Sequence, residues 1–127
     1  MLEILSSLFK NPDREAKRLN RDAATIIDSA TRALPVARVR DVAVMTLQYL
    51  EEVREHLDKH SESRDQVLYR FQQLHREARR RTDQVALTAH TLVIIHLRAE
   101  ALRESCGPAL EAIDEFTGQW AHAVEEQ

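Results

Sequence analysis

At 127 residues, with 31% charged, 43% apolar and only 5% aromatic side chains, the chain has the size of one domain and enough apolar material for a core without covalent staples. Two glycines and three prolines are too few turn residues for a sheet protein, so an all-α fold is expected. The net charge is −3, and Cys106 is the only cysteine, which excludes an intramolecular disulfide, a multi-cysteine zinc site and a CxxC redox pair and fits a reducing cytoplasm.

Residues 1–10 read as a short amphipathic helix with Leu2, Leu5, Leu8 and Phe9 on one side. The segment has no basic residue ahead of its apolar run and no small-residue cleavage pattern behind it, so it does not read as a signal peptide. Asn11, Pro12, Asp13 and Glu15 form a helix start: a capping side chain, a proline at the first helical position and carboxylates at the positive end of the dipole. The first main helix is predicted to reach about Leu34, turning Ala16, Leu19, Ala23, Ile26 or Ile27, Ala30 and Ala33 inward. Pro35 breaks it. A second helix follows from Val36 to about Lys59 on a seam of Val36, Val39, Ala43, Leu47, Leu50, Val53 and Leu57.

Ser63 and Gln66 have the spacing of a capping box and open a third helix. Neither glycine nor proline interrupts it before Gly107, so a single helix of about 42 residues and about 63 Å is expected, with Thr82 as the cap should it break within Arg79–Asp83. Its stretch from Val85 to Leu97 is apolar but short for a bilayer and carries His90, His96, Thr88 and Thr91. Gly107 suits a left-handed helix end, and Pro108 starts a fourth helix with Leu110, Ile113, Phe116, Trp120 and Val124 on one face. The expected architecture is one domain over 1–127: a four-helix antiparallel bundle with a short N-terminal helix and a long third helix.

Charge falls in blocks. Residues 64–81 hold six arginines against two carboxylates, and the last 21 residues carry five carboxylates with no Lys or Arg. Alternating blocks favour one arrangement of a bundle. Arg76, Arg79, Arg80 and Arg81, joined by Lys10, Arg14, Lys17, Arg18 and Arg21, would make a phosphate-tracking patch, but the net acidity and the lack of interleaved aromatics disfavour a nucleic-acid partner.

Six histidines raise metal chemistry, since bundles build such sites from facing helices. His56 with His60, and His96 with Glu100, are each four apart and share a helical face. They are the candidate ligands, although no Glu-x-x-His motif occurs. No catalytic residue emerges: Cys106 precedes the expected helix end, where the dipole does not activate a thiol, and no glycine-rich phosphate loop exists.

The segment Leu87-Thr88-Ala89-His90-Thr91-Leu92 resembles the Ala-His-x-Leu core of histidine phosphotransfer domains. That resemblance implies a four-helix bundle in which His90 accepts a phosphoryl group. The Lys and Gly that follow in that family are replaced by Val93 and Ile94, and Ala86, Leu87, Val93 and Ile94 flank the ring, so His90 is expected to be a structural residue making one hydrogen bond, to Thr91 or a backbone carbonyl.

The functional expectation is a non-enzymatic interaction or scaffold protein without a cofactor. It would associate with itself as a dimer, because a 63 Å helix outruns its neighbours, or with another helical protein. Leu2, Leu5, Leu8 and Phe9 would dock on the bundle itself or be the contact residues for a partner, a membrane surface being the alternative for that segment. The alternative is a phosphorelay or metal-binding bundle.

Overall fold

The computed structural model describes residues 12–125, with side chains over 13–121, and its elements are five helices: α1 Pro12–Ala33, α2 Val36–Asp58, α3 Arg64–Arg80, α4 Gln84–Ala101 and α5 Gly107–Glu125. The all-α expectation holds, but the long third helix does not exist. Residues 1–10, including Leu2, Leu5, Leu8 and Phe9, lie outside the described residues.

The break between α3 and α4 follows from local chemistry. The Asp83 carboxylate accepts the Ala86 N–H at 3.1 Å and so starts α4, while Thr82 stands in the left-handed region at φ 51°. The cap is therefore Asp83 and not Thr82. Ser63 and Gln66 form both bonds of the expected capping box. Gly107 also behaves differently: it is the first residue of α5, with no positive φ. The chain turns instead over Leu102–Cys106, where Ser105 and Cys106 donate to the Leu102 carbonyl, and the Cys106 carbonyl accepts from Leu110 N–H. Across this turn Asn20 of α1 accepts from the Ala109 N–H at 2.9 Å and donates to the Ser105 carbonyl at 3.0 Å.

α4 is the centre of the molecule and packs against all four other helices. Ala86, Ala89, His90, Leu92, Val93, Ile95, Leu97 and Ala99 are buried on several of its sides, as a helix apolar all round requires. One core cluster joins α1, α2, α4 and α5 through Leu19, Val39, Val42, Leu92, Ile113 and Phe116. A second joins α2, α3 and α4 through Val53, Val67, Phe71, Val93 and Leu97. Full burial of a side chain such as Leu92 or Ile113 contributes about 1.5–3 kcal/mol. α3 packs only on α4 and α2 among the described elements. α1 and α5 run in the same direction, Asn20 meeting Ala109 near one end and Thr31 sharing a groove with Gln119 toward the other.

Two predicted seams are shifted. Ala33 and Val36 face solvent, while Val42 and Thr46, absent from the expected seam of α2, are fully buried. Burial of Thr46 is tolerated because its hydroxyl donates to the Val42 carbonyl at 2.7 Å.

Candidate functional site

The five histidines whose side chains are described occupy three separate environments. On α4, His90 is only 3% exposed and lies against Tyr49 of α2 and Phe71 and His75 of α3, with ring centroids 5.2, 6.3 and 6.4 Å away. Neither ring nitrogen has a hydrogen-bond partner among the described residues. The expected hydrogen bond is therefore not made; the Thr91 hydroxyl donates instead to the Leu87 carbonyl at 2.7 Å. Burial pulls the His90 pKa below the ordinary histidine value, helped by His75 and Arg81 and opposed by Asp83. His75 is lowered too, by burial and then by Arg79. A histidine that takes a phosphoryl group from a partner protein must present a nitrogen to it, and α3 covers this one.

His96 and Glu100 share a face as expected, but a carboxylate that spacing does not reveal joins them. His96 Nδ1 is 4.0 Å from Glu100 Oε1 and Nε2 is 3.6 Å from Asp114 Oδ1 of α5. Both nitrogens thus face carboxylates on opposite edges of the ring. The trio borders a cleft of about 380 Å³ between α2, α4 and α5, whose walls include Leu47, Leu50 and Leu57 beside Arg54, Glu51 and Arg103.

At the end of α2, the His56 and His60 rings are 5.2 Å apart, and His56 Nδ1 lies 3.4 Å from Glu62 Oε1. Arg70 of α3 binds both oxygens of Glu62 at 3.0 and 2.9 Å, which holds that carboxyl below its ordinary range. Among the described residues no group of three or more His, Cys, Asp or Glu side chains is arranged to hold a metal ion.

Arg76, Arg79, Arg80 and Arg81 are all exposed and have no ion-pair partner among the described residues. Arg18 and Arg21 of α1 have carboxylate partners within that helix. Arg18 pairs with Glu15 and Arg21 with Asp22, in the half of α1 that lies against the far end of α4, near Ile95 and Arg98. Tyr69, 63% exposed, stands on the same outer side of α3 as Arg76 and Arg80 at helical spacing.

Cys106 sits at the positive end of α5, contrary to the sequence reading, yet it is fully buried. Burial, with Glu15 nearby, raises its pKa, so desolvation outweighs the helix dipole and the thiol stays protonated.

A groove opens between α1 and α4, and His75 of α3 enters only its second part. One part, about 350 Å³, is lined by Ile26, Ala30, Leu34, Leu87 and Thr91 among others; the next, about 340 Å³, by Leu19, Ile26, His75, Thr91, Ile94 and Arg98. The two parts meet at Ile26 and Thr91. No single sequence motif signals this groove, because its walls come from helices far apart in sequence. Among the described residues no helix is long and apolar enough to cross a membrane. Comparison with protein-family models, curated proteins and solved structures finds no match to this chain.

Proposed function

We propose that this chain is a non-enzymatic, cytoplasmic helical interaction protein that self-associates through the groove along α4. The groove is the observation that carries the reading. From Gln84 to Arg98 it follows about 21 Å of helix. Its lining alternates aliphatic residues (Leu19, Ile26, Leu34, Leu87, Ile94) with polar ones (Thr25, Ser29, Gln84, Thr88, Thr91) and is edged at one end by Arg18, Asp22 and Arg98, so it offers an amphipathic helix an apolar track with a polar border.

The chain itself supplies such a ligand in sequence, since residues 1–10 place Leu2, Leu5, Leu8 and Phe9 at helical spacing and would span about 15 Å as a helix. Seated in the groove of a second copy, this segment gives a homodimer that needs no long third helix. The exposed Tyr69 and arginine side of α3 remains open to an acidic partner, in keeping with the weight of Tyr and Arg in interfaces.

Light scattering of the full chain at tens of micromolar is expected to give a dimer mass. Leu5→Asp in the segment and Ile94→Glu in the groove should each shift it to monomer. A monomer mass for the unaltered chain, or a dimer insensitive to both changes, overturns self-association through this groove.

A further inference from the structure

We propose that His56 and His60 bind a divalent transition-metal cation of the zinc, copper or nickel class, with Glu62 and Arg70 orienting the first of the two ligands.

The turn after α2 builds the site. Lys59 keeps helical backbone angles, and its N–H donates to the Glu55 carbonyl at 2.8 Å, so the last turn of the helix carries on toward His60. Ser61 then reverses the chain at φ 53°, and the Glu62 N–H closes the reversal on the His56 carbonyl at 3.1 Å. The consequence is that the Glu62 carboxylate arrives beside His56 Nδ1, at 3.4 Å.

That carboxylate is not itself a third ligand, because both of its oxygens are engaged by Arg70. Its place is the outer one. A metal-binding imidazole commonly gives the proton on its far nitrogen to a carboxylate, which fixes the ring and strengthens the other nitrogen as a donor. At 3.4 Å the Glu62 carboxylate favours a proton on His56 Nδ1, a buried nitrogen with no hydrogen bond of its own, and a small approach of the two on metal binding would leave Nε2 for the ion. His60, exposed at the same corner, contributes the second imidazole.

The spacing agrees. A metal–nitrogen bond of about 2.0–2.1 Å puts each ring centre about 3 Å from the ion, so two rings on one ion stand at most about 6 Å apart. The observed 5.2 Å falls within that limit, and the 44° tilt between the rings is open to adjustment by the exposed His60. Water fills the remaining coordination positions. His96 does not offer the same chance, since carboxylates face both of its nitrogens.

Isothermal titration of the full chain with zinc chloride, and separately with copper sulfate, is the test. One saturable equivalent is expected. His60→Gln, at an exposed position outside α2 that the fold does not require, should abolish it. Glu62→Gln should weaken it about tenfold or more, the usual effect of losing an outer carboxylate. Absence of saturable binding by the unaltered chain, or equal affinity in His60→Gln, overturns the site. Unchanged affinity in Glu62→Gln overturns the orienting role.

Discussion

Asn20 and Ala109, far apart in sequence, are joined by a hydrogen bond of 2.9 Å in which the side chain of α1 closes the first turn of α5. The same amide holds the Ser105 carbonyl, so one residue satisfies a donor and an acceptor of the α4–α5 turn. Asn20→Ala is expected to cost about 1–2 kcal/mol, the upper part of the range for lost caps. Urea unfolding followed by circular dichroism measures it, and a change below about 0.3 kcal/mol would show that water replaces the amide without loss.

Stability should also fall in mild acid. His90 and His75 both have pKa values lowered by burial, so the folded state binds fewer protons than the unfolded chain. Their contribution is complete above the unfolded value near 6.5 and is lost as pH falls from there toward the folded values. The slope is at most about 1.4 kcal/mol per pH unit for each histidine. His90→Leu removes the larger buried base together with its two unpartnered nitrogens, and should leave stability at pH 7.5 equal or higher. Urea midpoints at pH 7.5 and 5.5 are the measurement; an equal acid loss in both proteins would place the sensitivity elsewhere.

Thr82 carries backbone strain of a kind that glycine relieves. A β-branched residue at φ 51° costs about 1–2 kcal/mol, more than the extra entropy glycine loses on folding. Thr82→Gly is therefore expected to stabilise by about 0.5–1 kcal/mol, read as a rise in the thermal midpoint. A lower midpoint would mean that the hydroxyl's bond to the Arg81 carbonyl outweighs the strain.

Cys106 should report opening of the core. Fully buried and held protonated, it is expected to resist an aromatic disulfide reagent at pH 8 in native protein and to react at once in 6 M guanidinium. Stoichiometric modification within seconds under native conditions would contradict its place in the packing.

Where sequence and structure agree, a local chemical signal was present. Pro12 and the acidic residues behind it mark the start of α1, Pro35 its end, and the Ser63–Gln66 pair the start of α3. Arg79–Asp83 broke the apolar pattern without glycine or proline, and only the bond from Ala86 to Asp83 decides that the helix ends there. The Gly107–Pro108 pair fits either end of a helix, and the turn over Leu102–Cys106 assigned it to the start of α5. Site partners were harder to see because they come from other helices. His56 and His60 could be paired by spacing, whereas Glu62 needed the reversal at Ser61, and Asp114 needed α5 laid beside α4. Burial of His90 is set by α3 folding back over it, which periodicity in α4 does not encode.

The shared direction of α1 and α5 has a consequence for synthesis on the ribosome. α3 packs chiefly on α4, translated next to it, whereas α2 waits for α4 and α5, and the side of α1 bearing Ile27 has Phe116 and Ala112 of α5 as companions. At ordinary elongation speeds that side waits roughly 5–20 s after α1 is made. During the wait α1 of a nascent chain is open to α5 of a neighbour on the same message, and such a pairing would exchange the α1–α5 contact between two chains.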